Sequence, residues 1–279
     1  MFASTVAQAL ALAHASGMDA LDAQVLLSRC LGQGRVWLFA HDAAPLDAGQ
    51  SERFSALVAR RAAGEPLAYL IGEKEFCGLS LHVTPAVLIP RPETEHLVEW
   101  GLEILCTKFV QVERPQVLDL GTGSGAIALA LKSALPQAEV SASDVSAEAL
   151  RVARGNARRL ALRIEFLFGD WWAATANRAF HLVLCNPPYI ANADRHLAAL
   201  AHEPVLALTP GPSGMEALRG VIHGAATHLQ PSGWLLLEHG FDQALPVSDL
   251  MHRCGFTAIQ TRRDLAGLPR CTGGCLAGS

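Results

Sequence analysis

From Gln116 onward, short apolar runs and longer helix-patterned stretches follow one another in strict alternation. Strand-like runs at 117–120, 139–143, 163–168, 181–185 and 234–237 are interleaved with helical stretches at 125–134, 146–159, 214–229 and 241–253. Such alternation folds as a parallel sheet covered on both faces, a three-layer α/β sandwich. Ligands of an open parallel sheet sit just beyond the carboxyl ends of its strands. Two turns therefore define the expected crevice. Gly121-Thr122-Gly123-Ser124-Gly125 follows the first strand, and Asn186-Pro187-Pro188-Tyr189 follows His181-Leu182-Val183-Leu184-Cys185.

The preceding residues have another character. Residues 1–72 read as a small helical domain, with Val6, Leu10 and Leu12 close to one stripe of a first helix. Asp19 caps a second helix carrying Leu21, Val25, Leu26 and Cys30 and closed by Gly32, and a later helix over Asp47 to Ala63 turns Phe54, Leu57 and Val58 inward. This domain holds no catalytic constellation, so it is either a packing module or a surface that recognises a macromolecule. Residues 73–92 suggest a hairpin turning near Gly78, then a stiff connector in which Pro90 and Pro92 hold Arg91 extended. Arg91 is open to three roles: surface cation, structural ion pair or cofactor-side contact. Residues 93–279 form the α/β domain, and Pro92 at the end of the connector or Glu93 opens a helix with Val98, Leu102 and Leu105 on its apolar side. At the far end, Cys271-Thr272-Gly273-Gly274-Cys275 is poor strand material, so a frayed or short last sheet edge is expected.

A formal charge of -4, with Lys74, Lys108 and Lys132 as the only lysines, gives no broad footprint for nucleic acid. Direct nucleic-acid binding is therefore not expected. The dense basic run of Arg151, Arg154, Arg158, Arg159 and Arg163 reads as a solvated helix face. Seven scattered cysteines lack zinc spacing, so no metal is expected and a reducing, cytoplasmic setting is. No signal peptide or bilayer-length apolar stretch stands out, so no membrane association is expected. Nothing points to oligomerisation, and a monomer is expected.

A glycine turn alone is weak evidence, because nicotinamide and flavin enzymes use a related one. Three details favour a different cofactor. The spacing is G-x-G-x-G, with Ala126 where a dinucleotide fingerprint has its third glycine; Asp119 precedes the turn, where it can face an ammonium group; and the next strand ends in Asp144, a candidate acceptor for both ribose hydroxyls. Pyrophosphate disfavours acids beside its helix start, whereas an amino-acid-bearing sulfonium cofactor calls for carboxylates. Asp170 and Trp171 would then hold the adenine, the acid accepting its amine and the ring packing on its face. Each aspartate is also open to a purely local role as a helix cap.

Two consecutive prolines after a central strand remove two donors and restrict three residues. In return they fix the direction of the Asn186 side chain and of the Pro187 carbonyl, two uncharged acceptors. A planar NH₂ group can donate one hydrogen to each. Held that way its nitrogen becomes more pyramidal, its lone pair aims at an electrophilic methyl, and catalysis comes from orientation and electrostatics. Tyr189 is expected to wall the pocket. The catalytic candidates are thus Asn186, Pro187 and Tyr189, with Pro188 completing the substrate grip.

These segments together resemble the protein-(glutamine-N5) methyltransferases that modify peptide chain release factors, within the class I methyltransferases. The likeness covers nearly the whole chain: the helical domain, Phe76, Leu88-Ile89-Pro90-Arg91-Pro92-Glu93-Thr94-Glu95, the glycine turn, Asp170-Trp171, Asn186-Pro187-Pro188-Tyr189-Ile190, His202-Glu203-Pro204 and Gly233 through Gly240. It implies a Rossmann-like fold, S-adenosylmethionine as donor, S-adenosylhomocysteine as product, and as substrate the glutamine of a Gly-Gly-Gln loop. By motif match, Gly121 to Gly125, Asp144, Trp171 and Asn186 would bind the donor, and Asn186 through Tyr189 the glutamine amide. Glu203 and Glu238 match family positions whose roles are less secure. The tetrapeptide alone is shared with adenine-N6 methyltransferases of RNA and DNA, which makes adenine-N6 methylation the alternative reading.

Overall fold

The computed structural model describes residues 4–176 and 178–277; the outermost residues of the two expected domains lie outside that range. Contact density separates a unit Met1–Glu73 from a unit Lys74–Ser279.

The first unit consists of α1 (Val6–Ala15), α2 (Ala20–Leu31), α3 (Arg35–Ala40), α4 (Ala48–Ala62) and α5 (Leu67–Ile71). Its caps are as local chemistry dictates. Asp19 accepts from Leu21 N and Asp22 N, Gly32 ends α2 at φ +64°, and Asp47 and Gln50 form a reciprocal capping box on α4. The inward faces differ from the expected stripes. Leu12 and Leu21 are each about half exposed, while Val6, Ala9, Ala13, Ala23, Leu26 and Leu27 are buried. Ala9, Ala13 and Ala23 share the seam with Val6, Leu26 and Leu27 where helices approach closely, and Leu12 and Leu21 are left at its edge.

In the second unit, the hairpin of β1 (Glu73–Phe76) and β2 (Leu79–His82) leads through the proline connector to α6 (Pro92–Lys108). Phe76 and Leu81 of this hairpin join the same core cluster as α6. The α/β alternation then runs β3 (Gln116–Leu120), α7 (Ala126–Ala134), β4 (Glu139–Asp144), α8 (Ala147–Arg159), β5 (Glu165–Phe168), β6 (Phe180–Cys185), α9 (Glu216–Ala225), β7 (Leu229–Glu238), α10 (Ala244–Arg253), β8 (Phe256–Arg263) and β9 (Pro269–Leu276). These strands form one sheet in the order β5-β4-β3-β6-β7-β9-β8, parallel except for β9, which runs antiparallel to both neighbours.

The two sheet faces build two cores. Val117, Leu182, Leu184, Trp234 and Leu236 pack with α6 and α7, whereas Leu118, Leu120, Val183, Leu235 and Leu237 pack with α9 and α10. Adjacent residues alternate between the cores, which is why these strands are apolar at successive positions. Strand order reverses between β3 and β6, so their carboxyl ends splay apart into a crevice. This is the α/β, Rossmann-like three-layer sandwich of class I methyltransferases.

The last strand departs from expectation. β9 spans eight residues, and it lies inside the sheet between β7 and β8, not at a frayed edge. Its glycines are there for room: a Cβ on Gly273 would lie 2.3 Å from Leu236 Cδ2 and 2.9 Å from the Trp100 ring. Strand propensity yields to the closeness of α6 and β7. Cys271 and Cys275 are both free thiols. Residues four apart along a strand are separated by roughly 13 Å, well beyond the roughly 7 Å limit between disulfide Cα atoms.

Candidate active site

The glycine turn is stitched to the neighbouring strand, with Gly121 N and Thr122 N both donating to the Ser143 carbonyl at 2.9 and 2.8 Å. At Gly125, φ is +86° and a Cβ would stand 3.0 Å from Leu129 and 3.2 Å from Ala153. Only glycine supplies both that backbone and that approach. Asp119 holds the turn from beneath. Its Oδ2 accepts from the Thr122 hydroxyl at 2.6 Å and from Ala128 N at 3.1 Å. It is fully buried and does not line the cavity, so its placement is a brace of the turn and not the cofactor-facing position expected. Burial pushes its carboxyl up to about 7, and Oδ1 has no partner among the described residues.

Above the turn lies a cavity of about 440 Å³, within the roughly 300–1,000 Å³ common for small-ligand sites. Gly121, Thr122, Gly123, Ser124, Asp144, Asp170, Trp171, Asn186 and Pro188 all line it; Gly125, Pro187 and Tyr189 do not. Asp144 ends β4 and accepts from Gly123 N at 2.9 Å and Ser146 N at 2.8 Å, one bond on each oxygen. The two oxygens together accept about four bonds, so even with the Val145 amide also drawn to the carboxylate an acceptor direction stays free. Burial raises the Asp144 carboxyl against the pull of these backbone donors. Trp171 adopts φ +40°, a left-handed conformation that costs a bulky residue energy. It brings the indole ring to 3.5 Å from where a Gly121 side chain would begin, so the ring forms one wall of the cavity.

Opposite, the Asn-Pro-Pro-Tyr turn is held by its surroundings. Gln243 Nε2 donates to the Tyr189 carbonyl at 3.0 Å, and a side chain at Gly214 would strike that carbonyl at 2.4 Å. Asn186 Nδ2 donates to the Thr94 hydroxyl at 3.1 Å, which donates in turn to Glu238 at 2.7 Å; the Tyr189 phenol donates to the other Glu238 oxygen at 3.3 Å. Tyr189 thus reaches the cavity through Glu238 and Thr94. Glu238 is only 1% exposed, and burial pushes its carboxyl up to about 7 despite both donors. Burial likewise pushes the Tyr189 phenol up, with Glu238 adding to the effect.

Thr94 and Asn156 escaped the sequence reading as site components, whereas Arg91 and Glu203 were named there with their roles left open. Thr94 carries no signal beyond its place in the connector motif, and Asn156 carries none. Fully buried, Asn156 accepts from His82 N at 2.7 Å and donates to the His82 and Ser124 carbonyls, tying the hairpin to the glycine turn. Arg91 and Glu203 form an ion pair, and Glu203 also accepts from Ile89 N at 3.0 Å. Of the three roles open to Arg91, the structural ion pair is formed, and Arg91 also lines the cavity, which keeps the cofactor-side contact open. The ion pair bolts the proline connector to the 203–207 loop, and both segments line the cavity. Among the described residues no cluster of metal-ligating side chains exists and no helix is long and apolar enough to cross a membrane.

The family model described as PrmC N-terminal domain matches residues 5–72, and that described as Methyltransferase small domain matches residues 94–207. The Release factor glutamine methyltransferase of Burkholderia pseudomallei is 48% identical, covering 98% of this chain and 97% of its own. That of Bordetella pertussis is 47% identical over 93% of this chain and 96% of its own. In three dimensions a methyltransferase from Pyrococcus furiosus superposes with a TM-score of 0.54 at 16% identity, over 80% of this chain and 99% of that one, a likeness of fold.

Proposed function

The chain belongs to the family of release factor glutamine methyltransferases, and on that premise we propose that its strand-end cavity holds S-adenosylmethionine against the side-chain amide of a release-factor glutamine. It is an enzyme that methylates the N5 nitrogen of that glutamine. The observation that carries the assignment of the cavity is the convergence of Asn186 and the glycine turn on one space, with no protein hydrogen bond on Asn186 Oδ1 among the described residues.

The residues fit the donor. Asp144 has acceptor capacity left for ribose hydroxyls, the Trp171 ring offers a face for the adenine with Asp170 beside it, and Gly121 and Gly123 let the backbone approach closely. When bound, S-adenosylmethionine supplies an electrophilic methyl on a positively charged sulfur, and S-adenosylhomocysteine remains. The chain's own part is positional. Asn186 Oδ1, inside the cavity, accepts one N–H of the glutamine amide, and the Pro187 carbonyl, outside the cavity lining but next in the chain, accepts the other on the strength of the family likeness; this keeps both hydrogens to one side and turns the nitrogen lone pair toward the methyl. Positive charge grows on that nitrogen as the N–C bond forms and the S–C bond breaks, and the two oxygens stabilise it. The proton departs afterwards to water, so no general base is required. The Met1–Glu73 helices serve as the release-factor recognition module, because a single glutamine offers little binding surface and selectivity must come from remote contacts. The substrate segment is the Gly-Gly-Gln loop. The enzyme works as a monomer in the cytoplasm, where its seven thiols stay reduced.

The test is to supply labelled S-adenosylmethionine with release factor and with RNA in separate reactions and to locate the label by mass spectrometry. Label on the glutamine N5 is expected. Label on adenine N6 instead would overturn the substrate assignment. Asn186→Ala should lower turnover by at least about a hundredfold with donor affinity within about threefold; unchanged turnover would remove the proposed role of the amide oxygen.

A further inference from the structure

We propose that Thr94 and Glu238 are positioning residues for the transfer: acting through the Thr94 hydroxyl, the Glu238 carboxylate locks the Asn186 amide with its oxygen, not its nitrogen, toward the substrate. The inference rests on the reading of the cavity given above and deepens it.

An asparagine amide rotated by half a turn keeps its shape and exchanges its O and NH₂, so packing cannot choose between the two states. Only hydrogen-bond partners can. The choice matters here because the reversed amide would set an NH₂ group against the NH₂ of the glutamine, donor facing donor. Asn186 has one protein partner among the described residues, the Thr94 hydroxyl. A hydroxyl can give or take, so Thr94 alone does not decide either.

Glu238 decides. Above about pH 7, where it is ionised, the carboxylate carries no hydrogen and can only accept, so Thr94 donates to Oε2 at 2.7 Å and Tyr189 to Oε1 at 3.3 Å. With its single hydrogen spent, the Thr94 oxygen can only accept, and the group facing it must be Asn186 Nδ2 at 3.1 Å. The direction of the chain is thereby set from a point two bonds behind the cavity. Thr94 is 4% exposed and Glu238 1% exposed, so water does not compete for these positions. Arg270 attracts Glu238 at longer range but bonds Asp264, so among the described residues no cation bonds the carboxylate directly. Glutamine would pair with Thr94 and Tyr189 equally often without burying a charge. It would, however, present NH₂ to one of them and so permit the opposite chain direction. A carboxylate excludes that direction, which accounts for an acid at this position.

The experiment compares Thr94→Ser, which keeps the hydroxyl, with Thr94→Val, which keeps the shape, and adds Glu238→Gln as a second, isosteric break in the chain. Release-factor methylation is followed under saturating conditions at about pH 8.5, where Glu238 is ionised, with donor affinity measured by calorimetry at the same pH. Expected is a kcat about tenfold lower for T94V and for E238Q than for the parent. T94S should stay within about threefold of the parent, and donor Kd and release-factor KM should stay within about threefold throughout. A kcat for T94V less than about fivefold below that of T94S, or a loss confined to KM or donor Kd, overturns the relay. Failure of the underlying reading looks different: the parent then transfers no methyl to the glutamine, or N186A remains as active as the parent.

Discussion

Glu238→Gln should make the fold more stable at alkaline pH even as it impairs turnover. Burial raises the Glu238 carboxyl from 4.5 to about 7. The groups around it are Thr94 and Glu93 on α6, Tyr189 and Cys185 at the end of β6, and Arg270 and Cys271 on β9. Of these, Arg270 favours the ionised form and Glu93 opposes it. Because the native state binds this proton more tightly than the unfolded chain, the stability it confers is complete below about pH 4.5. That stability falls as pH rises and is gone above about 7. A difference of roughly 2.5 pKa units is worth about 3 kcal/mol, of which about 2 kcal/mol lies between pH 5.5 and 8.5. Gln does not titrate. Relative to the parent, E238Q should therefore gain about 2 kcal/mol on going from pH 5.5 to 8.5, while Asp119, raised to about 7 in both proteins, cancels. Urea unfolding followed by tryptophan fluorescence reads mainly the second unit, which holds Trp100, Trp171, Trp172 and Trp234. At a slope of about 2 kcal/mol per molar urea, the midpoint difference should widen by about 1 M. A difference that stays constant with pH, or narrows, would refute the assignment of a buried, costly charge at 238.

Asp144→Asn should weaken S-adenosylmethionine binding about tenfold, the loss of roughly 1.5 kcal/mol from charge-assisted bonds; calorimetry giving an unchanged Kd would leave Asp144 only its caps on Gly123 and Ser146. Asn156→Ala removes a fully buried side chain together with its bonds to the His82 amide and to the His82 and Ser124 carbonyls and should cost about 2 kcal/mol by urea unfolding. A loss below about 1 kcal/mol would mean the hairpin is held by other contacts. Gly273→Val places a side chain against Leu236, Trp100 and the Leu235 carbonyl and should destabilise by about 3 kcal/mol. An unchanged midpoint would show that β9 does not lie where its pairing with β7 puts it.

Much of this site was legible because it is local. The glycine turn and Asn-Pro-Pro-Tyr are contiguous, each ends an apolar run, and parallel-sheet topology sends both to one edge. The cap at Asp19 and the helix start at Pro92 are equally local, one a side chain that reaches the next free amides and the other a ring that presets the first helical turn. The alanine share of the seam of α1 and α2 was not legible, since hydrophobic periodicity ranks leucine above alanine while close helix packing also favours small side chains. The strand character of Cys271 to Cys275 was hidden for a similar reason: its two glycines answer to Trp100, Leu236 and Ile259, residues distant in sequence.

The sequence by itself determined the class of fold, the two turns and the chemistry those turns can support, because periodicity, proline and glycine act within a few bonds of where they stand. Only the tertiary structure decided what governs Asn186. Parallel pairing of Cys185 with Leu237 brings Asn186 and Glu238 to the same sheet edge, and α6 lowers Thr94 between them from 144 residues away in sequence. That arrangement is a consequence of strand register and helix packing, which sum weak contacts over the whole core, and no single stretch of the chain carries it.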